Sequence, residues 1–164
     1  MDTLTDKKSR EVDLAAVSLR EVNCLLQGRP ADGLEALGDE ESVVLTNPRG
    51  AHAVAVGMNH AREVTIRGSV GYYAAGMNQH AHVVIDGSAG VGVAENMMSG
   101  SVRVKGNASQ SAGATAQGGL LVVEGDATAR CGISMKGADI VVGGSIGHMS
   151  AFMAQSGRLV VRGD

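Results

Sequence analysis

One pattern constrains this chain more than any other: an apolar-rich triplet, one further residue, then Gly followed by Ser, Asn or Asp. It reads VTIRGS, VVIDGS, VRVKGN, LVVEGD, IVVGGS and LVVRGD, anchored by Gly68, Gly87, Gly106, Gly125, Gly144 and Gly163. Each anchor lies 19 residues after the last, with no insertion. Self-similarity at a fixed period of this order marks stacked units that bury their apolar faces against one another. Apolar residues stand four and two places before each anchor, as in Val64/Ile66, Val83/Ile85 and Ile140/Val142. This is the period-two signature of one strand face. The remainder of each repeat holds too much Gly, Ala, Ser and Asn for a long apolar helix, which excludes helical and leucine-rich solenoids. The prediction is an all-β, right-handed parallel β-helix in single-strand-dominated 19-residue coils, with equivalent residues stacked about 4.8 Å apart.

The chain divides into three stretches. Residues 1–12 are charged and aperiodic and read as a mobile tail. Residues 13–49 hold a short helix and a turn-rich connector. Ser18 and Glu21 form a capping box, Leu19, Val22, Leu25 and Leu26 share a face, and Gly28 supplies the stop, so a helix is expected over 19–27. Val43–Leu45 reads as a short β run. Residues 50–164 form the β-helix. The stack ends at its sixth anchor without a polar cap, which predicts either a partner over that end or further coils beyond residue 164.

Composition enters through what must fill the core. Hydrophobic residues make up 44% of the chain, yet it has no Trp, one Phe, two Tyr and 24 Gly, so small and β-branched residues do the packing. A formal charge of -3 gives no electrostatic footprint for nucleic acid. With no apolar run long enough to span a bilayer and no signal peptide, the chain reads as cytoplasmic, without membrane or nucleic-acid partners.

Aligned on the anchors, the suspicious residues fall into columns. ARCGISMKG sets Cys131 beside cations and glycines, a pattern that invites a reactive thiol. Yet Cys131 stands six after its anchor with Ala74, Val93, Ala112 and Ser150, a column of small residues, and reads as filler. Lys136 shares a column with Gln79, Met98, Gln117 and Gln155, and reads as an edge residue. Small residues recur seven after each anchor, at Ala75, Ala94, Gly113, Gly132 and Ala151. Met77, Met97, Met135 and Met153 stand nine or ten after, a column read as adaptable core filler. Cys24 and Cys131 have no CxxC spacing, His80 and His82 share a strand face without further ligands, and no dinucleotide or nucleophile-elbow motif is present. No catalytic, cofactor-binding or metal residue is expected in this chain.

One column points outward. Three before each anchor stand Thr65, Val84, Arg103, Val122, Val141 and Val160. Valines on a solvent-side column signal a strand covered on both faces, either by the N-terminal helix or by another chain. Val84, Val122, Val141 and Val160 are the candidate partner interface.

The glycine columns of GYYAAGMNQHAHVVIDG, GVGVAENMMSGSVRVKG, QSAGATAQGGLLVVEG and CGISMKGADIVVGGSIGHMSAFMAQSG resemble the right-handed β-helix family named for its GXGXG motif. That family includes the C-terminal domain of the glutamate synthase large subunit and the β-helix component of formylmethanofuran dehydrogenase. The likeness runs from about residue 13 to the C-terminus. It implies a non-catalytic structural subunit of a glutamate-synthase-like flavoenzyme complex, a rigid spacer bridging a glutamine-amidotransferase-like subunit and an FMN-binding subunit. FMN and an iron-sulfur cluster would belong to the partner, with no cofactor in this chain. The alternative the resemblance implies is the equivalent part of a formylmethanofuran dehydrogenase or formyltransferase/hydrolase complex. The chain departs from the family by stopping early, since such subunits usually carry further coils and a C-terminal tail. Two other classes fail on pattern: a hexapeptide-repeat acyltransferase needs a period that is a multiple of six, and an ice-binding face needs a flat threonine array.

Overall fold

The computed structural model describes residues 8–39 and 41–164. Its elements are β1 (Ser9–Asp13), α1 (Leu19–Leu26), β2 (Ser42–Thr46), β3 (Glu63–Arg67), β4 (His82–Ile85), β5 (Ser101–Val104), β6 (Leu120–Val123), β7 (Lys136–Val142) and β8 (Ser156–Val161). The eight strands form one sheet in chain order, and every pairing is parallel. Parallel neighbours need a crossover between them. Here each crossover is the rest of a coil, and the fold is a parallel β-solenoid.

The register follows the anchors. Val64 pairs with Val83, Val83 with Val102, Val102 with Leu121 and Leu121 with Ile140. These residues and the second inner column, Leu45, Ile66, Ile85, Val104, Val123 and Val142, are almost completely buried. A second, minimal ladder of bridges runs through Val70, Ala89, Ala108, Ala127 and Ile146, just past the anchors.

The anchor glycines are required by close approach. A Cβ on Gly87 would lie 2.5 Å from the carbonyl carbon of Gly68, and one on Gly163 would lie 2.7 Å from that of Gly144. The residue after each anchor explains the Ser/Asn/Asp preference. Ser88 N–H donates to Ser69 Oγ at 3.0 Å, Asn107 N–H to Ser88 Oγ at 3.1 Å, and Asp126 N–H to Asn107 Oδ1 at 2.9 Å. Ser145 N–H continues to Asp126 Oδ1 at 2.8 Å, and Asp164 N–H to Ser145 Oγ at 3.2 Å. Only a short side chain with an acceptor oxygen can link one coil to the next in this way.

Across the core from the sheet, alternate residues adopt left-handed backbone. Tyr73, Ala75 and Met77 have φ of 60°, 53° and 55°, and the pattern returns at Met149, Ala151 and Met153 with 57°, 53° and 57°. Such conformations cost roughly 1–2 kcal/mol each for residues other than Gly. Coil-to-coil hydrogen bonds offset that cost, for example Tyr73 N–H to Val91 O at 2.7 Å and Ala94 N–H to Ala74 O at 3.0 Å. The core between this segment and the sheet is thin. A Cβ on Gly113 would sit 2.7 Å from Ile140 Cδ1, which is why the seventh column is confined to Ala and Gly.

The methionine column divides. Met97 and Met135 are buried, as expected of core filler, but Met77 and Met153 stand one position earlier and face outward, 40% and 69% exposed. A one-residue offset turns a side chain to the other face, so the positions nine and ten after the anchor are two columns, one outward and one inward. Met58, outside the anchored repeats, is fully buried.

The N-terminal region closes one end of the stack. α1 has the expected capping box, with Glu21 N–H donating to Ser18 Oγ and Ser18 N–H to Glu21 Oε2. Its buried face is Val22, Leu25 and Leu26. Asn23 Nδ2 donates to Ala53 O at 2.9 Å and Gln27 Nε2 to Val56 O at 2.7 Å, which fixes the helix to the first coil. The tail expected over 1–12 is corrected in part. Ser9–Asp13 is strand β1, paired with Ser42–Thr46, and Val12 enters the core. Residues 1–7 lie outside the described residues. The connector is tied down by charge: Arg10 grips the buried Glu41 carboxylate at 3.0 and 3.1 Å, and buried Arg62 donates to Glu41 O and Gly38 O at 2.6 and 3.1 Å.

Candidate partner-binding face

The outer face of the sheet presents three columns, set by the alternation of each strand. The central one holds the candidate interface residues. Thr65, Val84, Val122 and Val141 are half-buried, Arg103 is exposed, and Val160 is 50% exposed. α1 is engaged at the first coil through Asn23 and Gln27. Of the two covers considered for the valines, the helix is therefore not the one.

Charged pairs border the strip, and one of them, through Arg103, interrupts it between Val84 and Val122. Arg103 Nε bonds Glu124 Oε1 at 2.6 Å, Arg158 makes two bonds to Asp139 at 2.7 and 2.9 Å, and Lys105 lies 3.2 Å from Asp86. Arg158 beside Asp139 holds that carboxyl below its usual range. Val141 is the ridge between two shallow hollows. One is lined by Arg103, Val122, Glu124, Gly143 and Arg162, the other by Leu120, Asp139, Arg158 and Val160. Gly143 opens the first hollow where its neighbouring coils carry Glu124 and Arg162. An apolar ridge with hollows and a charged border has the anatomy of a protein interface, with an apolar centre and a polar rim.

The residues that mimic reactive sites are accounted for by packing. Cys131 is fully buried with Ala74, Val93 and Ala112 of its column, and burial pushes its thiol up to about 11. A thiol held protonated and out of solvent is not a nucleophile. Lys136 is exposed on β7, and in its column Gln79 Nε2 reaches Met98 Sδ at 3.4 Å, an edge contact. His82 Nδ1 bonds Ser101 Oγ at 2.8 Å, and His80 N–H donates to Ser99 Oγ at 2.9 Å, so each histidine is paired to the next coil. Among the described residues no three His, Cys, Asp or Glu side chains are grouped to hold a metal ion. Among them no helix is long and apolar enough to cross a membrane.

Sequence reasoning missed one cluster, on the turn across the core from the sheet. The Tyr73 ring lies over Gly76, where a Cβ would come within 2.5 Å of Tyr73 Cε1. Tyr73 Oη accepts from Asn96 Nδ2 at 3.0 Å, and Asn96 Oδ1 accepts from Thr115 Oγ1 at 2.5 Å. The Glu95 side chain folds back over Gly92, where a Cβ would lie 2.6 Å from Glu95 Oε2 and 3.6 Å from Tyr73 Cδ2. Burial raises the Glu95 carboxyl above its ordinary value. A signal was present: Glu95 is the one charged member of its column, beside Gly76, Ala114, Ile133 and Phe152.

Over 62 residues the chain is 58% identical to Protein GlxC of Rhizobium meliloti (strain 1021), a stretch that covers 38% of this chain and 25% of that protein. The match thus spans about a quarter of the relative's length. No family model matches the chain, and no solved structure matches it.

Proposed function

We propose that this chain is a non-catalytic structural subunit of a glutamate-synthase-like flavoenzyme complex of the N-methylglutamate synthase type. Such a complex converts methylamine and L-glutamate to N-methyl-L-glutamate and ammonia. In this reading the solenoid bridges an amidotransferase-like subunit and an FMN-binding subunit that carries the flavin and an iron-sulfur cluster. The observation that carries it is the half-exposed valine strip, ridged at Val141 and bordered by ion pairs, on a scaffold braced from coil to coil. The 62-residue likeness to Protein GlxC supports its coarser part, a glutamate-synthase-like subunit. A rigid stack suits a spacer, because each coil is fixed to the next by both ladders and side chains.

Co-purification tests this. The tagged chain is expected to bring down an amidotransferase-like and an FMN-binding subunit, and alone to be colourless and inactive. Bound flavin or turnover in the pure chain would sink the reading, and an amidohydrolase-like and formyltransferase pair would replace it with the alternative complex.

A further inference from the structure

The Glu95 cluster belongs to neither the valine strip nor the core. Its carboxylate, folded back over Gly92, has no hydrogen-bond or ion-pair partner among the described residues. An exposed glutamate ordinarily extends into water. Here the gap left by Gly92 lets the side chain lie against the protein, and Tyr73, locked by Asn96, borders the same gap. Exposed apolar residues stand next to it along the coils: Val91 precedes Gly92, Tyr72 precedes Tyr73 with its ring against His52, and Met77 lies one coil back, 46%, 54% and 40% exposed. Backbone bonds hold them together, Met77 N–H to Glu95 O at 2.8 Å and Tyr73 N–H to Val91 O at 2.7 Å.

We infer that this turn is a second protein-docking surface, and that its occupant is a partner subunit presenting an arginine to Glu95. Charge complementarity selects that chemistry. A carboxylate without a partner, folded against the protein beside the Tyr73 ring, suits a cation, and guanidinium can take both oxygens while lying against a tyrosine ring. The exposed Val91, Tyr72 and Met77 on the same turn would give the partner apolar surface to cover next to that pair, the arrangement found where a few residues carry most of the binding energy. The inference rests on the proposed bridging role and deepens it: the valine strip and the Glu95 turn face opposite sides of the thin core, one for each partner.

The test is Glu95→Gln in the full chain, with affinities for the separately purified amidotransferase-like and FMN-binding subunits measured at low and high salt. The variant is expected to weaken one of the two by roughly tenfold or more and to flatten its salt dependence, leaving the other unchanged. Its thermal midpoint should be equal or higher, because an unpartnered carboxylate is removed, so lost binding is not misfolding. Unchanged affinity for both subunits overturns the inference while leaving the bridging role intact, and so does a lowered midpoint with binding lost to both. Self-association of the isolated chain that Glu95→Gln abolishes would assign the turn to a second copy instead. Failure of the unsubstituted chain to bind either subunit sinks the bridging role and the inference with it.

Discussion

Asn107 Oδ1 accepts the backbone N–H of Asp126, its equivalent one coil on, at 2.9 Å. The same link recurs from Ser69 to Asp164, so the residue after each anchor is both a turn former and a rung between coils. Asn107→Ala removes one rung and should cost about 1 kcal/mol, read as a lowered denaturation midpoint. Asn107→Ser, the residue found at positions 69, 88 and 145, is expected to recover most of it.

The anchor glycines should be intolerant for a steric reason. Gly87→Ala places a Cβ against the Gly68 carbonyl carbon and Ser69 nitrogen, at 2.5 and 2.6 Å. Backbone must shift, so a loss of about 3 kcal/mol or more is expected. Gly38→Ala has nothing within 4 Å and should change stability by less than about 0.5 kcal/mol. Equal losses at the two positions would contradict the close-approach account.

Cys131 should be chemically silent in the native protein. Its thiol is fully buried and pushed up to about 11, so a thiol reagent at mildly alkaline pH should label Cys24 first and Cys131 only on unfolding. Cys131→Ala is expected to leave the activity of the assembled complex within about twofold, as for a small hydrophobe in a small-residue column.

Acid should loosen the N-terminal closure. The Gly38 N–H and the Arg10 guanidinium hold the Glu41 carboxyl below its ordinary value, and the Asn47 amide does the same for Asp13. A carboxyl depressed in the fold stabilises above its unfolded value, and that contribution is lost as pH falls through the folded one. Unfolding followed from neutral pH downward should show stability falling from the ordinary carboxylate range, near pH 4, and below. Glu41→Gln should reduce that slope while lowering stability at neutral pH. Glu95 has the opposite sign: its raised carboxyl favours the fold at the acid side of its transition, and Glu95→Gln should remove that gain.

What was legible in the sequence was whatever rests on spacing within one repeat. The inner pairs such as Val83/Ile85, the anchors and the Ser18/Glu21 box could be read because each depends on residues a few places apart. β1 could not, because SREVD places Val12 inward but Arg10 at the other inward position, and its partner β2 lies more than 30 residues on. Met77 and Met97 look alike in the sequence because nine and ten after an anchor differ by one residue, yet the first position faces out and the second faces the core. Glu95 depends on a glycine in its own coil and a tyrosine in the previous one, a relationship visible only once the coils are stacked. The valines stood out because apolar residues on an outward column contradict the alternation of a strand with one wet face.

The bridging role stands most directly on Val141, the ridge between the two hollows of the outer face. Val141→Asp leaves the inward columns untouched, so the isolated chain should fold with a near-normal midpoint, whereas burying an unpaired carboxylate in an interface costs several kcal/mol. Native mass measurement of the co-expressed complex decides the matter. A bridging solenoid predicts loss of one partner subunit in the Val141→Asp complex, and an intact complex of unchanged mass and affinity would contradict it.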